Sequence, residues 1–224
     1  MGIDTKKVAL LTIGQSPRVD VVPEIRQFLP SNIQLIEAGA LDELSPDEIS
    51  SHSPRSKESI LVSRLANGKE VRIDKDFVHR RLQELITLLE ESVDIFSILC
   101  SAVFEPFVCN RPLVLPYRLL QGFVSAVRFP GPLGVLVPAT EQVETIGREF
   151  ESWGVEVVTK AVSPYAEEER LEEVVQKLLG AGVSAILLDC FGYSVEMKQR
   201  AQRASGLPVI TVRTLLARAL AELL

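Results

Sequence analysis

The chain has 224 residues, of which 46% are hydrophobic and 24% charged, with a formal net charge of −6. That is ample apolar material for one large packed domain or two small ones, and with no block of basic residues the chain is not built as a nucleic-acid binder. No apolar run approaches the roughly 20 residues of a membrane helix. The opening MGIDTKKVALLTIG runs into QSPR instead of a small-residue cleavage site, so it reads as a first strand rather than a leader. The expectation is a cytoplasmic protein with neither a nucleic-acid nor a membrane partner; a homodimer is compatible with it.

Strand and helix patterns alternate along the chain. VALLTIG (8–14) reads as a buried strand, and VDVVPEIRQFL (19–29) as a helix with Pro23 in its first turn. IQLIEAG (33–39) is a second strand, and SPDEIS (45–50) a short helix capped by Ser45 with Pro46 at its first position. ILVSRLANGKEVRID (60–74) is a hairpin turning at Asn67-Gly68. A helix follows over 75–91, with Val78, Leu82, Leu85, Ile86 and Leu89 on one face. DIFSILC (94–100) and RPLVLP (111–116) read as strands, and 117–127 as a helix.

At PGPLGVLVP (130–138) the pattern restarts, which places a domain boundary near 130. Thr140 then caps a helix over 140–154 that Gly154 ends. A strand (155–162), a helix (167–182), the strand VSAILLDC (183–190), a helix (194–205), the strand PVITV (208–212) and a last helix (213–224) complete the chain. Alternating strands and helices with near-continuous apolar strands imply α/β architecture with parallel sheets flanked by helices. The two stretches repeat the order β-α-β-α-β, each with a cysteine closing its third long strand. The reading is therefore two similar α/β halves, 1–130 and 131–212, with a ligand cleft between them and the helix 213–224 joined to the first half.

In open parallel sheets, ligands bind beyond the carboxyl ends of the strands. The loops there carry Gln15, Ser16, Arg18, Ser101, Thr140, Tyr165, Tyr193 and Ser194 beside Cys100 and Cys190. Arg18, directly after a strand-end loop, is the best-placed anion binder; Arg55, Arg72 and Arg118 are weaker candidates. A lone strand-end cysteine reads as core filler, since free thiols are often buried. Two at matching places read as a pair: one takes a proton from an acidic carbon and the other returns one to the opposite face. Helix N-termini and hydroxyls would hold a substrate carboxylate and its enediolate. Asp189 either tunes the neighbouring thiol or bonds nearby backbone. Cys109 reads as packing, and His52 and His79 as surface residues. The cysteines show no CxxC spacing, so no metal site and no cofactor are expected.

TIGQSPRVDVVPEI, LLDCFGY and the C-terminal ARALAELL resemble the AroM family over essentially the whole chain. That family is similar in layout to the aspartate/glutamate/hydantoin racemase superfamily. The resemblance implies two α/β halves around a cleft, Cys100 and Cys190 as an acid/base pair, and Ser16, Ser101, Gly192 and Tyr193 as contacts to a substrate carboxylate. The superfamily usually follows its cysteines with Thr or Asn; here Ser101-Ala102 and Phe191-Gly192 stand in those places. The leading expectation is a cofactor-independent racemase or epimerase acting on a small carboxylate or amide-bearing compound. The alternatives are a one-cysteine decarboxylase or cis–trans isomerase, or a binding protein that kept the cleft without turnover.

Overall fold

A computed structural model describes residues 5–224. The first half is built on β1 (Lys7–Thr12), β2 (Gln34–Gly39), β5 (Ile95–Leu99) and the short β6 (Leu113–Val114), all parallel and ordered β2-β1-β5-β6. The second is built on β7 (Leu133–Val137), β8 (Val157–Ala161), β9 (Ala185–Leu188) and β10 (Val209–Thr211), also parallel, ordered β8-β7-β9-β10. The two orders superpose strand for strand: β1 on β7, β2 on β8, β5 on β9, β6 on β10. In each sheet the chain steps to one side from the first strand and then returns to its other side. That leaves a crevice between β1 and β5, and another between β7 and β9, at the carboxyl ends.

Both faces of each sheet are buried, which is why the strands read as continuous apolar runs. Alternate residues serve different cores. Val8 and Leu10 of β1, Val135 and Val137 of β7 and Leu187 of β9 share one core that runs through both halves. Ala9 and Leu11 pack outward in the first half, and Leu136, Ile186 and Leu188 do so in the second.

The connecting helices are α1 (Val22–Arg26), α2 (Pro46–Ser51), α3 (Lys75–Leu89), α4 (Pro116–Ala126), α5 (Val143–Ser152), α6 (Leu171–Gly180), α7 (Val195–Ser205) and α8 (Val212–Leu223). The Ser45 cap of α2 and the left-handed Gly206 that ends α7 follow the usual end chemistry. The last helix, α8, packs on α1 and α4 of the first half. The hairpin β3 (Ile60–Arg64) and β4 (Glu70–Asp74) forms a separate two-stranded sheet.

Three local expectations differ from the structure. The helix expected over 19–29 is only one and a half turns, because residues up to Val21 are held in the loop that positions Arg18. The segment 140–142 is a tight 3-10 turn, and Thr140 is exposed and caps nothing with its side chain. Neither histidine is a plain surface residue: both are half-buried, His52 stacked on Phe77 with ring centres 3.6 Å apart and His79 against Phe107 at 4.5 Å.

Candidate active site

Cys100 follows β5 and Cys190 follows β9, so the duplicated topology brings them to equivalent ends of equivalent strands. Both line one cavity of ≈ 40 Å3, together with Arg18, Ser101, Tyr165 and Asp189. Its roof is the hairpin, through Leu61, Val62 and Ser63, and a further wall is Gln142 and Ile146 at the start of α5. Space of this size admits a few waters.

The thiols have matching surroundings. The sulfur of Cys100 accepts the backbone N–H of Ala102 at 3.4 Å, and that of Cys190 accepts the N–H of Gly192 at 3.4 Å. Each strand thus turns so that the amide two residues on points back at the sulfur. Burial still dominates. It pushes Cys190 up to about 11 and Cys100 up to about 12, with the Asp189 carboxylate adding to the rise in both; the two amides and the Arg18 guanidinium act in the opposite sense. The charge of Cys190 adds to the rise at Cys100. A Tyr165 hydroxyl contact further favours the Cys190 thiolate.

Arg18 is buried, with 2% of its surface exposed. Its Nε and Nη2 fork onto the Asp20 carboxylate at 2.9 and 2.8 Å, Nη1 donates to Thr12 Oγ1 at 3.0 Å, and Nη2 donates to the Tyr165 hydroxyl at 3.1 Å. Of the five N–H groups a guanidinium carries, one on Nη1 is left for a ligand. Burial works against both charges of the pair, yet their mutual hydrogen bonds outweigh it, holding Arg18 charged and Asp20 below the usual carboxylate range.

Asp189 has no such partner. Burial raises it to about 6, opposed only by the Ser101 hydroxyl. Glu149, on the far side of the Gln142–Ile146 wall, is lifted to about 7 by burial and by the Asp189 charge, against the pull of Lys75.

The turn after Cys190 is fixed from outside its own half. Arg213, 1% exposed, donates from Nε (3.2 Å) and Nη2 to the carbonyl of Phe191, and from Nη1 to the Asp20 carbonyl at 2.8 Å and the Glu24 carboxylate at 2.6 Å. Glu24 in turn accepts the Val195 N–H at 3.1 Å, at the N-terminus of α7. The chain following Cys190 is therefore bolted to α1. Two glycines permit close approaches here. A Cβ on Gly14 would sit 2.4 Å from Ser63 Oγ, where the hairpin crosses the end of β1. One on Gly192 would sit 2.5 Å from Tyr165 Cζ.

Of the residues singled out from the sequence, Cys100, Cys190, Arg18, Ser101, Tyr165 and Asp189 meet at the cavity, and Gly192 backs its wall. Gln15, Ser16, Thr140 and Tyr193 do not line it. Gln15 braces the hairpin through Ala66 N–H and Leu41 O, and Ser16 is tied to the Asp42 carboxylate at 2.7 and 2.6 Å. Thr140 lines a separate surface hollow, and the buried Tyr193 hydroxyl donates to Val162 O at 2.6 Å. Arg72 forms ion pairs with Glu70 and Glu141, Arg118 lies over the ring of Tyr117, and Arg55 is exposed. Residues not anticipated are Asp20, Thr12, Ser63, Gln142 and Arg213. Thr12 and Ser63 were visible as polar interruptions of apolar strands, and Asp20 as the acid two residues after Arg18; nothing local marks Gln142 or Arg213.

Residues 8–224 match the family described as AroM protein. The chain belongs to the AroM family. Among curated proteins none matches its sequence. Several solved structures share its fold. Allantoin racemase from Pseudomonas fluorescens is 10% identical, covering 96% of this chain and 89% of its own, with a TM-score of 0.65. The aspartate racemase of Picrophilus torridus is 14% identical over 97% and 93%, with a TM-score of 0.62. The maleate isomerase of Pseudomonas putida S16 is also 14% identical over 97% and 93%, with a TM-score of 0.61. At these identities the likeness establishes the fold: this AroM protein has the two-half α/β architecture of the aspartate/glutamate racemase superfamily. Among the described residues no cluster of His, Cys, Asp and Glu is arranged to hold a metal ion, and no helix is long and apolar enough to cross a membrane.

Proposed function

We propose that this AroM protein is a cofactor-independent isomerase of the racemase or epimerase type, moving a proton between the two faces of a small carboxylate- or amide-type substrate. The observation that carries the reading is the matched pair of thiols, each backed by the amide two residues on and both opening on one cavity. In one direction the Cys190 thiolate takes the proton from the carbon next to a carbonyl. The C–H electron pair moves onto the carbonyl oxygen, and the Cys100 thiol delivers its own proton to the opposite face as that pair returns. Cys190 ends as thiol and Cys100 as thiolate, which is the starting state for the reverse reaction. The remaining Nη1 N–H of Arg18 is the group available to the oxyanion, the Ser101 hydroxyl being turned to Asp189. A thiolate raised by burial is scarce at neutral pH but, once formed, a stronger base for a weakly acidic C–H. Similar folds in racemases and a maleate isomerase agree with the reading at the level of architecture.

The test is stereoinversion and solvent-deuterium exchange in Cys100→Ser and Cys190→Ser. Each variant should lose inversion while keeping exchange on the face of the remaining thiol. Full inversion surviving in either variant would remove the two-thiol mechanism; dependence on Cys190 alone would move the protein to one-cysteine chemistry.

A further inference from the structure

The turn after Cys190 is closed by the Tyr193 N–H, which donates to the Cys190 carbonyl at 3.3 Å. Residues 190–193 therefore form a β-turn whose central peptide joins Phe191 to Gly192. That planar trans unit carries two contacts on opposite edges. Its N–H points at the Cys190 sulfur at 3.4 Å, and its carbonyl takes the Arg213 guanidinium through Nε, at 3.2 Å, and Nη2. The two cannot be adjusted separately: whatever holds the carbonyl aims the N–H.

The central peptide of such a turn can flip over, exchanging the sides on which its N–H and carbonyl lie; this is what separates type I from type II turns. The flipped form needs a positive φ at the third residue, and a glycine there accepts it without strain. Gly192 holds that place, with a φ outside the left-handed region. The flipped turn would aim the Phe191 oxygen at the sulfur and disfavour a thiolate. Arg213 opposes the flip. It is 1% exposed, and its Nη1 is pinned to the Asp20 carbonyl at 2.8 Å and the Glu24 carboxylate at 2.6 Å, so the cation cannot follow a turning carbonyl. After Cys100 the matching amide belongs to Ala102, whose Cβ opposes the left-handed form by itself.

We infer that Arg213 is a positioning residue for Cys190: by clamping the Phe191–Gly192 peptide from its anchorage on the first half, it keeps an N–H on that sulfur and favours the thiolate of Cys190 without touching that of Cys100. That this thiolate acts as a base rests on the proton-transfer reading above; the clamp itself does not. The other groups facing Cys190 are Arg18 and the Tyr165 hydroxyl, which favour its thiolate, and Asp189, which opposes it; the Cys190 charge in turn raises Cys100 and Tyr193. Arg18 and Asp189 act on both thiols in the same sense, so neither tells them apart.

The test is the initial rate of iodoacetamide alkylation at each cysteine of the full-length protein, resolved by peptide mass spectrometry between pH 7 and 9, in the wild type, Arg213→Lys and Arg213→Met. Lysine keeps the charge but cannot fork over a carbonyl and a carboxylate at once. The Cys190 profile should move to higher pH. Its rate at pH 8 should fall about threefold in Arg213→Lys and about tenfold in Arg213→Met, the latter equal to one unit of thiol acidity. Cys100, and Cys109 outside the cavity, should stay within about twofold of the wild type. Cys100 opens on the same cavity, so a loosened fold or an easier entry would move both thiols together. Where Arg213→Met is too unstable to fold, Arg213→Lys carries the test alone. The fall should persist when Arg213→Lys is made in a Tyr165→Phe background. An unchanged Cys190 rate in Arg213→Lys, equal changes at Cys100 and Cys190, or loss of the effect with Tyr165→Phe would overturn the inference. No substrate is needed, so this result and the stereoinversion test fail independently. Slowing confined to Cys190, in a protein that exchanges no substrate proton, supports the clamp and removes the proton transfer.

Discussion

Asp189→Asn should stabilise the protein at pH 8 and do so far less at pH 4. Burial lifts this carboxyl from 3.8 to about 6, a shift of roughly two units. At 1.36 kcal/mol per unit, that makes holding the charge in the folded state cost about 3 kcal/mol once the group is ionised. The sign follows from linkage. Between pH 4 and 6 the folded protein keeps a proton the unfolded chain has already released, so this group's contribution to stability falls as pH rises through that window. It stays low above it. Asparagine has nearly the same shape and no charge to bury. The expected gain is therefore about 2–3 kcal/mol at pH 8, some being lost to the imperfect pairing of a buried amide. Glu149 reinforces the trend, since the Asp189 charge is part of what lifts it to about 7. Urea midpoints of both proteins at pH 4 and pH 8 give the comparison, with titrations common to the two cancelling. An equal stability difference at the two pH values would refute the claim that Asp189 sits ionised and unpaired in the cavity. The same substitution removes a charge that raises both thiols. Alkylation of Cys100 and Cys190 by iodoacetamide at pH 8 should accordingly quicken.

Two further outcomes follow from the same geometry. Substrate α-proton exchange should climb close to tenfold per pH unit from 7 to 9, because the thiols ionise only near 11 and 12 and the thiolate fraction grows with pH below that; a plateau near pH 7, read in buffered deuterium oxide, would show that the working thiol is far more acidic. Arg213→Met should cost about 3–5 kcal/mol in urea unfolding, the scale of breaking a buried ion pair, since it strands Glu24 and leaves the Phe191 and Asp20 carbonyls without their donor.

The sheets were legible because period and composition report local burial. VALLTIG and VSAILLDC are apolar on both faces, and only a sheet covered on both sides asks for that. The placement of Cys100 and Cys190 at equivalent strand ends was legible for the same reason: repeated element order predicts repeated strand ends. Which loop residues turn inward was not. Gln15, Ser16 and Tyr193 sit at strand-end positions as suitable as that of Arg18. What separates them is the hairpin crossing above Gly14, the Asp42 carboxylate under Ser16 and the Val162 carbonyl beside Tyr193. Each is a contact between segments distant in sequence, and no periodicity encodes it. The Arg213 bolt is the extreme case: its partners lie on α1, in the loop before it and in the turn after β9, 22 to 193 residues away.

Gly192 tests how closely that turn is fitted to the site. Its backbone is not left-handed, so an alanine there meets no intrinsic strain; the obstacle is space alone. A Cβ would fall 2.5 Å from Tyr165 Cζ and 2.6 Å from both Tyr165 Oη and Pro164 Cγ, well inside any real carbon contact. The turn cannot retreat freely, because Arg213 grips the Phe191 carbonyl on one side and the Gly192 N–H points at the Cys190 sulfur on the other. Tyr165 must therefore move, and with it the 3.1 Å bond from Arg18 Nη2. Gly192→Ala should cost about 1–3 kcal/mol, the usual penalty for overpacking. The cause can be isolated by a double-mutant cycle with Tyr165→Ala, which clears most of the contested volume. If the ring is the obstacle, Gly192→Ala should cost at least 1 kcal/mol less in that background than in the wild type, a coupling of the size expected for residues in contact. Additive costs would mean that the turn relaxes elsewhere, and that the fit of Tyr165 against Gly192 does not set the position of the ring beside Arg18 and Cys190.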